Sequence, residues 1–172
     1  MGFPALNATI AARRTSPAYS AYKIKLNKEE SMTSNRQDLA KNHRPLVGLP
    51  DPFTDARGFI QPLLDDDPMR SALIIQSVAG SVRANHYHLT DWHYLYVLSG
   101  RMEYYYRVAD STDPPIHLTV LPGQMVYTPA MVVHRTDFPE DTLCVTLSGN
   151  PRDQAAYEAD VIRVELPVDG AK

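Results

Sequence analysis

The 172 residues, 44% of them hydrophobic, suffice for one compact domain with a sizeable core. A formal net charge of −3, with Lys and Arg dispersed beyond the first thirty residues, excludes an electrostatic case for nucleic-acid binding. No apolar run approaches the length of a membrane-spanning helix. The single cysteine, Cys144, cannot form an internal disulfide, so the expected compartment is the reducing cytoplasm.

Residues 1–28 carry Arg13, Arg14, Lys23, Lys25 and Lys28 and no acidic residue. The stretch reads as a transit-peptide-like extension without an amphipathic face, or as sequence upstream of a start at Met32. Residues 1–45 are expected to be an arm, disordered or in contact with a partner, and residues 46–168 the folded domain.

From residue 46 onward the signals are β. Short apolar or alternating runs at 58–64, 72–78, 82–88, 94–98, 102–108, 117–121, 124–128, 131–137 and 143–147 predict strands. Turn chemistry separates them at Ser99-Gly100, at 110–115 and at Pro122-Gly123. Many short strands divided by Gly and Pro predict an all-β sandwich or barrel. Met102, Tyr104 and Tyr106 share one strand face and Tyr105 takes the other. Cys144 falls in an apolar run and reads as a core residue. One short helix is predicted at 151–157, capped by Asn150 with Pro151 in its first position, and 161–166 reads as a last strand.

Four of the six histidines fall in two boxes. The first runs from Gly80 through His86-Tyr87-His88 to His93 and Gly100; the second runs from Gly123 through Pro129 to His134. His86 and His88 are two apart, so on one strand they face the same side. His93 can return on the next antiparallel strand, and His134 follows a proline turn. Neutral imidazoles converging inside a barrel suit a divalent transition metal, with zinc, iron, nickel, copper or manganese all compatible. His43 and His117 are expected at the surface.

The two boxes resemble the two motifs of the cupin superfamily. The first motif is matched at Gly80, His86, His88 and Gly100, and the second at Gly123, Pro129 and His134. The resemblance implies a jelly-roll barrel, the double-stranded β-helix, with a metal bound by His86, His88, His93 and His134. His93 stands where the motif has glutamate, Met131 where it has glycine, and Phe138 where it has asparagine. A four-His site has no anionic ligand and is the stronger Lewis acid; without His93 it is a three-His site with more open positions.

The stretches 55–59 and 81–88 resemble the dTDP-sugar 3,5-epimerase branch and the cupin domains of capsular-polysaccharide enzymes. The epimerase resemblance implies a nucleotide-diphosphate contact by Arg83 and proton abstraction by His86, without a metal. The capsular one implies a metal at the same histidine, and the two implications compete.

Arg83 is a candidate anion clamp, although a regular strand puts it opposite His86 unless a bulge intervenes. Trp92 and Tyr127 are candidates for substrate binding. Glu103, Tyr104 and Tyr106 are candidates for proton transfer, with Asp137 a further acid–base candidate and Asp91 a group that orients a ligand histidine. The expected function is a metal-dependent isomerase or epimerase on a small polar substrate such as a sugar or sugar nucleotide. The alternatives are an Fe(II) dioxygenase on a chelating substrate and a non-catalytic metal- or sugar-binding module. A homodimer is expected, and neither nucleic acid nor a membrane as partner.

Overall fold

The computed structural model describes residues 43–65 and 68–168; most of the expected arm lies outside them. Among the described residues, eleven strands and one helix follow in chain order. They are β1 (Phe53–Asp55), β2 (Gly58–Ile60), β3 (Ser71–Ser77), β4 (Ser81–His88), β5 (His93–Ser99), β6 (Met102–Val108), β7 (Ile116–Val120), β8 (Met125–Thr128), β9 (Val132–Phe138), β10 (Thr142–Ser148), α1 (Gln154–Asp160) and β11 (Val161–Arg163).

Antiparallel pairing builds one sheet in the order β3-β10-β5-β8 and another in the order β11-β4-β9-β6-β7, beside a small β1-β2 hairpin. The inward residues of both sheets form one core. Leu95 and Val97 of β5, Met102 and Tyr104 of β6, Val126 of β8, Val132 and Phe138 of β9 and Cys144 of β10 belong to the same buried cluster. This is the all-β sandwich or barrel expected from the short strands, in the jelly-roll form that the cupin resemblance implied. Cys144 is 1% exposed, and burial pushes its thiol up to about 11. The residues before β1 are already part of the barrel: Tyr127 N–H donates to Pro45 O and Val47 N–H to Met125 O, each at 2.8 Å.

Three local details depart from the expectations. The β1-β2 hairpin adds a strand that Phe53-Thr54-Asp55 was too short to announce. The helix starts later than 151, with Asp153 as its cap, accepting from Ala156 N–H at 3.0 Å. Asn150 is unavailable because its own groups are engaged elsewhere: its N–H donates to Asp91 Oδ1 and its side-chain amide to Thr90 Oγ1. His43 is not a free surface residue. Its ring packs edge-on 5.5 Å from Tyr106 and 6.0 Å from Tyr127. Burial lowers its pKa to about 4, against a backbone hydrogen bond at Tyr127.

Two backbone conformations explain the spacing of the boxes. Gly100 has φ +81°, and a Cβ there would run into Asp141 O and Thr142, so the β5-β6 turn requires glycine. Met131 has φ +63°, the left-handed region a glycine enters freely. That is where this sequence departs from the glycine of the second motif, and the turn keeps its shape: Met131 N–H donates to His88 O at 2.8 Å.

Candidate metal and substrate site

The two histidine boxes meet because β4 and β9 are neighbours. His86 lies directly across from His134, and β5 brings His93 in from the facing sheet. Ring centroids are 4.6 Å apart for His86 and His134, 4.9 Å for His86 and His88, 5.5 Å for His88 and His93, and 4.9 Å for His93 and His134. His88, His93 and His134 are buried at 2%, 6% and 3% exposure.

Each ring has a defined environment. His88 Nδ1 is 3.0 Å from Asp160 Oδ2, so Nδ1–H donates and Nε2 keeps its lone pair; Nε2 is buried and bonds to nothing. His134 Nδ1 is 3.2 Å from Val132 O and is likewise the donor. His86 is hydrogen-bonded to the Ala84 backbone. His93 Nδ1 is buried without a partner. Burial lowers all four pKa values, reinforced by the Arg152 guanidinium and, for His86, His93 and His134, by neighbouring imidazoles; Asp91 and Asp160 oppose it at His88. His86 falls to about 4, so the rings are neutral at pH 7 with lone pairs available.

Orphaned buried nitrogens beside rings anchored through their other nitrogen are what an imidazole-ligated ion requires. Among the described residues, His88, Asp91 and His93 present ligand atoms all within 4.8 Å of one another and could hold a metal. Asp91 is already engaged, with Oδ1 accepting from Asn150 N–H at 2.8 Å and Oδ2 at 3.2 Å from Arg152 Nη2.

The cluster opens into a cavity of about 210 Å³ lined by the four histidines, Tyr104, Tyr157, Arg83 and Arg152 among others. Arg83 reaches it through a bulge. The β4-β9 register slips between Ala84 and His86, and Ala84 and Asn85 have φ of 66° and 53°. The extra residue returns Arg83, opposite Thr136, to the face of His86, opposite His134. Its Nε donates to Ser77 Oγ at 2.8 Å and its Nη2 to Gln76 O at 2.9 Å.

Several sequence candidates fall elsewhere. Glu103 does not point inward: its Oε2 accepts from Thr119 Oγ1 and lies 2.7 Å from His117 Nε2 on the outer surface. The reason is parity, since Met102 and Tyr104 take the inner face. Asp137 likewise faces out, paired with Arg135 at 2.6 Å. Tyr106 is buried but packs on His43 and Tyr104 and does not border the cavity. Tyr127 pairs across from Tyr94, on the outer face, because His93 and Thr128 occupy the inner one. Trp92 packs on that outer pair, edge-on at 5.7 Å from Tyr94 and tilted at 6.3 Å from Tyr127. Tyr104 is the aromatic candidate that lines the cavity, with its hydroxyl 2.7 Å from Thr128 Oγ1 and its pKa pushed up by burial.

Three residues of the site carried no sequence signal. Asp160, at the end of α1, accepts from Thr90 N–H, Thr90 Oγ1 and Asp91 N–H while holding His88. Tyr157 lies 6.2 Å from His86 and 5.8 Å from His88, ring to ring. Arg152 sits over Tyr157 at 5.4 Å. A charged or aromatic residue in a short loop or helix is ordinary, and only the return of α1 and β11 onto β4 brings these side chains to the histidines.

No family model matches the sequence, and no curated protein matches it. Solved structures do. The chain is similar to the sugar 3,4-ketoisomerase QdtA from Thermoanaerobacterium thermosaccharolyticum in complex with TDP, at 22% identity and a TM-score of 0.56, over 69% of this chain and 85% of that one. It is similar to the capsular polysaccharide assembling protein CapF from Staphylococcus aureus at 20% identity and a TM-score of 0.52, over 72% of this chain and 33% of that one. It is also similar to the rmlC epimerase of Mycobacterium tuberculosis, at 16% identity and a TM-score of 0.54, over 63% of this chain and 64% of that one. At these identities the likeness speaks to the fold alone, the all-β jelly roll that the cupin resemblance implied.

Proposed function

We propose that this cupin-fold chain is a metal-dependent isomerase or epimerase acting on a small polar substrate of the sugar or sugar-nucleotide type. The observation that carries the reading is the convergence of four neutral imidazoles at the floor of one cavity, two of them with buried nitrogens lacking any partner. The reaction class is supported by the solved structures of like fold, which are described as a ketoisomerase and an epimerase.

In this proposal His86, His88, His93 and His134 hold a divalent ion, and Asp160 fixes the tautomer of His88. The ion supplies Lewis acidity toward a substrate oxygen. The protein's own groups do the rest. Arg83 stands at the rim as a donor to an anionic group. Tyr104, sealed in the wall and kept protonated, donates a hydrogen bond. Tyr157, half-buried on the rim, passes a proton between the substrate carbon and solvent. With Glu103 and Asp137 facing away, a tyrosine is left for this task. The homodimer expected from the sequence stays part of the proposal and is read by sedimentation equilibrium.

The test is proton exchange at a substrate carbon. Purified protein is incubated in D₂O with TDP-4-keto-6-deoxyglucose, the ligand in a structure of a mutant of the ketoisomerase QdtA, and with a panel of uronates. Deuterium incorporation that is lost with a chelator and restored by a divalent ion is the expected result. No incorporation into any of these substrates, with metal present, would overturn the reading.

A further inference from the structure

The charged side chains bordering the cavity are all of one sign. Among the described residues they are Arg83 and Arg152; no carboxylate lines the cavity, and Asp91 pairs with Arg152 at 3.2 Å from outside that lining. Asp91 and Asp160 stand behind the histidines, with their oxygens taken by Arg152, Asn150, Thr90 and His88.

Arg152 is held firmly and yet incompletely used. Its Nε and Nη2 both donate to Ser148 Oγ, at 3.2 and 2.9 Å, and Nη2 also meets Asp91 Oδ2 at 3.2 Å. The ring of Tyr157 supports the guanidinium at 5.4 Å. These contacts occupy one side of a five-donor fork, and Nη1 bonds to no protein atom among the described residues. The side chain is 16% exposed and lines the cavity, so a ligand there can reach the donors that the protein leaves unused.

We propose that Arg152 is the anion-binding residue of this pocket, and that the substrate carries a carboxylate on the end that enters it. A planar carboxylate matches the guanidinium fork, whereas a neutral hexose does not. A diphosphate is the rival anion. It continues into a nucleoside and needs the open rim, where Arg83 is exposed, whereas Arg152 is half-buried in the lining it shares with the imidazoles and suits a terminal group. The inference rests on the reading of this cavity as the substrate site and narrows the substrate to an acidic sugar or related hydroxy or keto acid.

The test measures binding and needs no turnover. The purified full chain is titrated by calorimetry with galacturonate, galactose and TDP, as wild type, Arg152→Gln and Arg152→Lys, with metal content and melting temperature recorded for each. Galacturonate should bind wild type about tenfold or more tighter than galactose, and Arg152→Gln should erase that preference while leaving TDP affinity unchanged. Arg152→Lys, which keeps the charge and loses the fork, should fall between. The proposal is overturned if galacturonate binds no tighter than galactose. It is equally overturned if Arg152→Gln weakens TDP in place of galacturonate, or if both variants lose metal or fold, which would make Arg152 a structural prop of the histidine cluster. A protein that prefers galacturonate but exchanges no substrate proton would defeat the isomerase reading and leave this one standing.

Discussion

Asp160 Oδ2 lies 3.0 Å from Nδ1 of His88, a contact between the last residue of α1 and the last residue of β4. It sets which nitrogen of His88 carries the proton and aims the other into the cluster. Asp160 serves the strand end as well, accepting from Thr90 and Asp91. Asp160→Ala should therefore weaken metal affinity by about 10–100-fold. It should also cost about 1–3 kcal/mol of stability from the orphaned donors. Chelator competition and denaturant unfolding read the two effects separately. Asp160→Asn, which can still accept from one group, should lie between Asp160→Ala and wild type in both.

Tyr157 and Glu103 make a contrasting pair. Tyr157→Phe removes the hydroxyl proposed to pass the proton and should lower kcat by about 10²–10⁴-fold with metal content unchanged. Glu103→Gln alters a side chain on the outer face, bonded to His117 and Thr119, and should leave kcat within about twofold of wild type, as surface changes commonly do. Deuterium exchange in D₂O measures both. A large loss in Glu103→Gln would contradict the placement of the reaction inside the barrel.

Gly149 lies against the indole of Trp92, and a Cβ at that position would run into Trp92 Nε1 and Cε2. Gly149→Ala should destabilise the protein by about 1–3 kcal/mol by overpacking. Trp92 is the sole tryptophan, so its emission reports the displacement directly. Galacturonate and TDP affinities should persist, because Trp92 packs on the outer face with Tyr94 and Tyr127.

His43 gives a pH dependence of defined sign. It is neutral in the fold, with its pKa lowered by burial from 6.5 to about 4. The unfolded chain takes up that proton near pH 6.5 and the folded chain does not. Stability is therefore full above pH 6.5 and declines as the pH falls from 6.5 toward 4. After allowance for its partial exposure, His43 should account for about 1 kcal/mol of loss between pH 6.5 and pH 5. Denaturant unfolding of wild type and His43→Phe at pH 7 and pH 5 should show a shallower decline in the variant. Equal declines would show that the ring is protonated in the fold.

Much of the fold was legible because strand periodicity is local. The runs around Tyr94, Met102 and Leu143 alternate so regularly that β5, β6 and β10 fall within a residue or two of their expected bounds. The same parity already told against Glu103: with Met102 and Tyr104 inward, the residue between them had to face out. Tyr127 and Trp92 needed more, namely the pairing of β5 with β8, which is not a local property. Arg83 depended on a bulge made by two non-glycine residues at positive φ, for which Ala84-Asn85 gives no advance sign. Arg152, Tyr157 and Asp160 come from a segment far along the chain from His86 and His88, and the pairing of β11 with β4 is what delivers them. The histidines themselves were readable as a cluster because two strands of known parity and a proline turn are enough to bring them to one side of a barrel.

The most direct test of the account is metal analysis of the freshly purified protein, wild type beside His93→Ala and His134→Ala, by elemental emission together with X-ray absorption at the edge of whichever metal is found. The account predicts about one divalent ion per chain with an all-nitrogen protein shell near 2.0–2.1 Å if the ion is zinc. It also predicts a marked loss of that ion in both variants. Wild-type protein that turns over substrate while holding no ion, or an ion retained undiminished when both rings are removed, would contradict it.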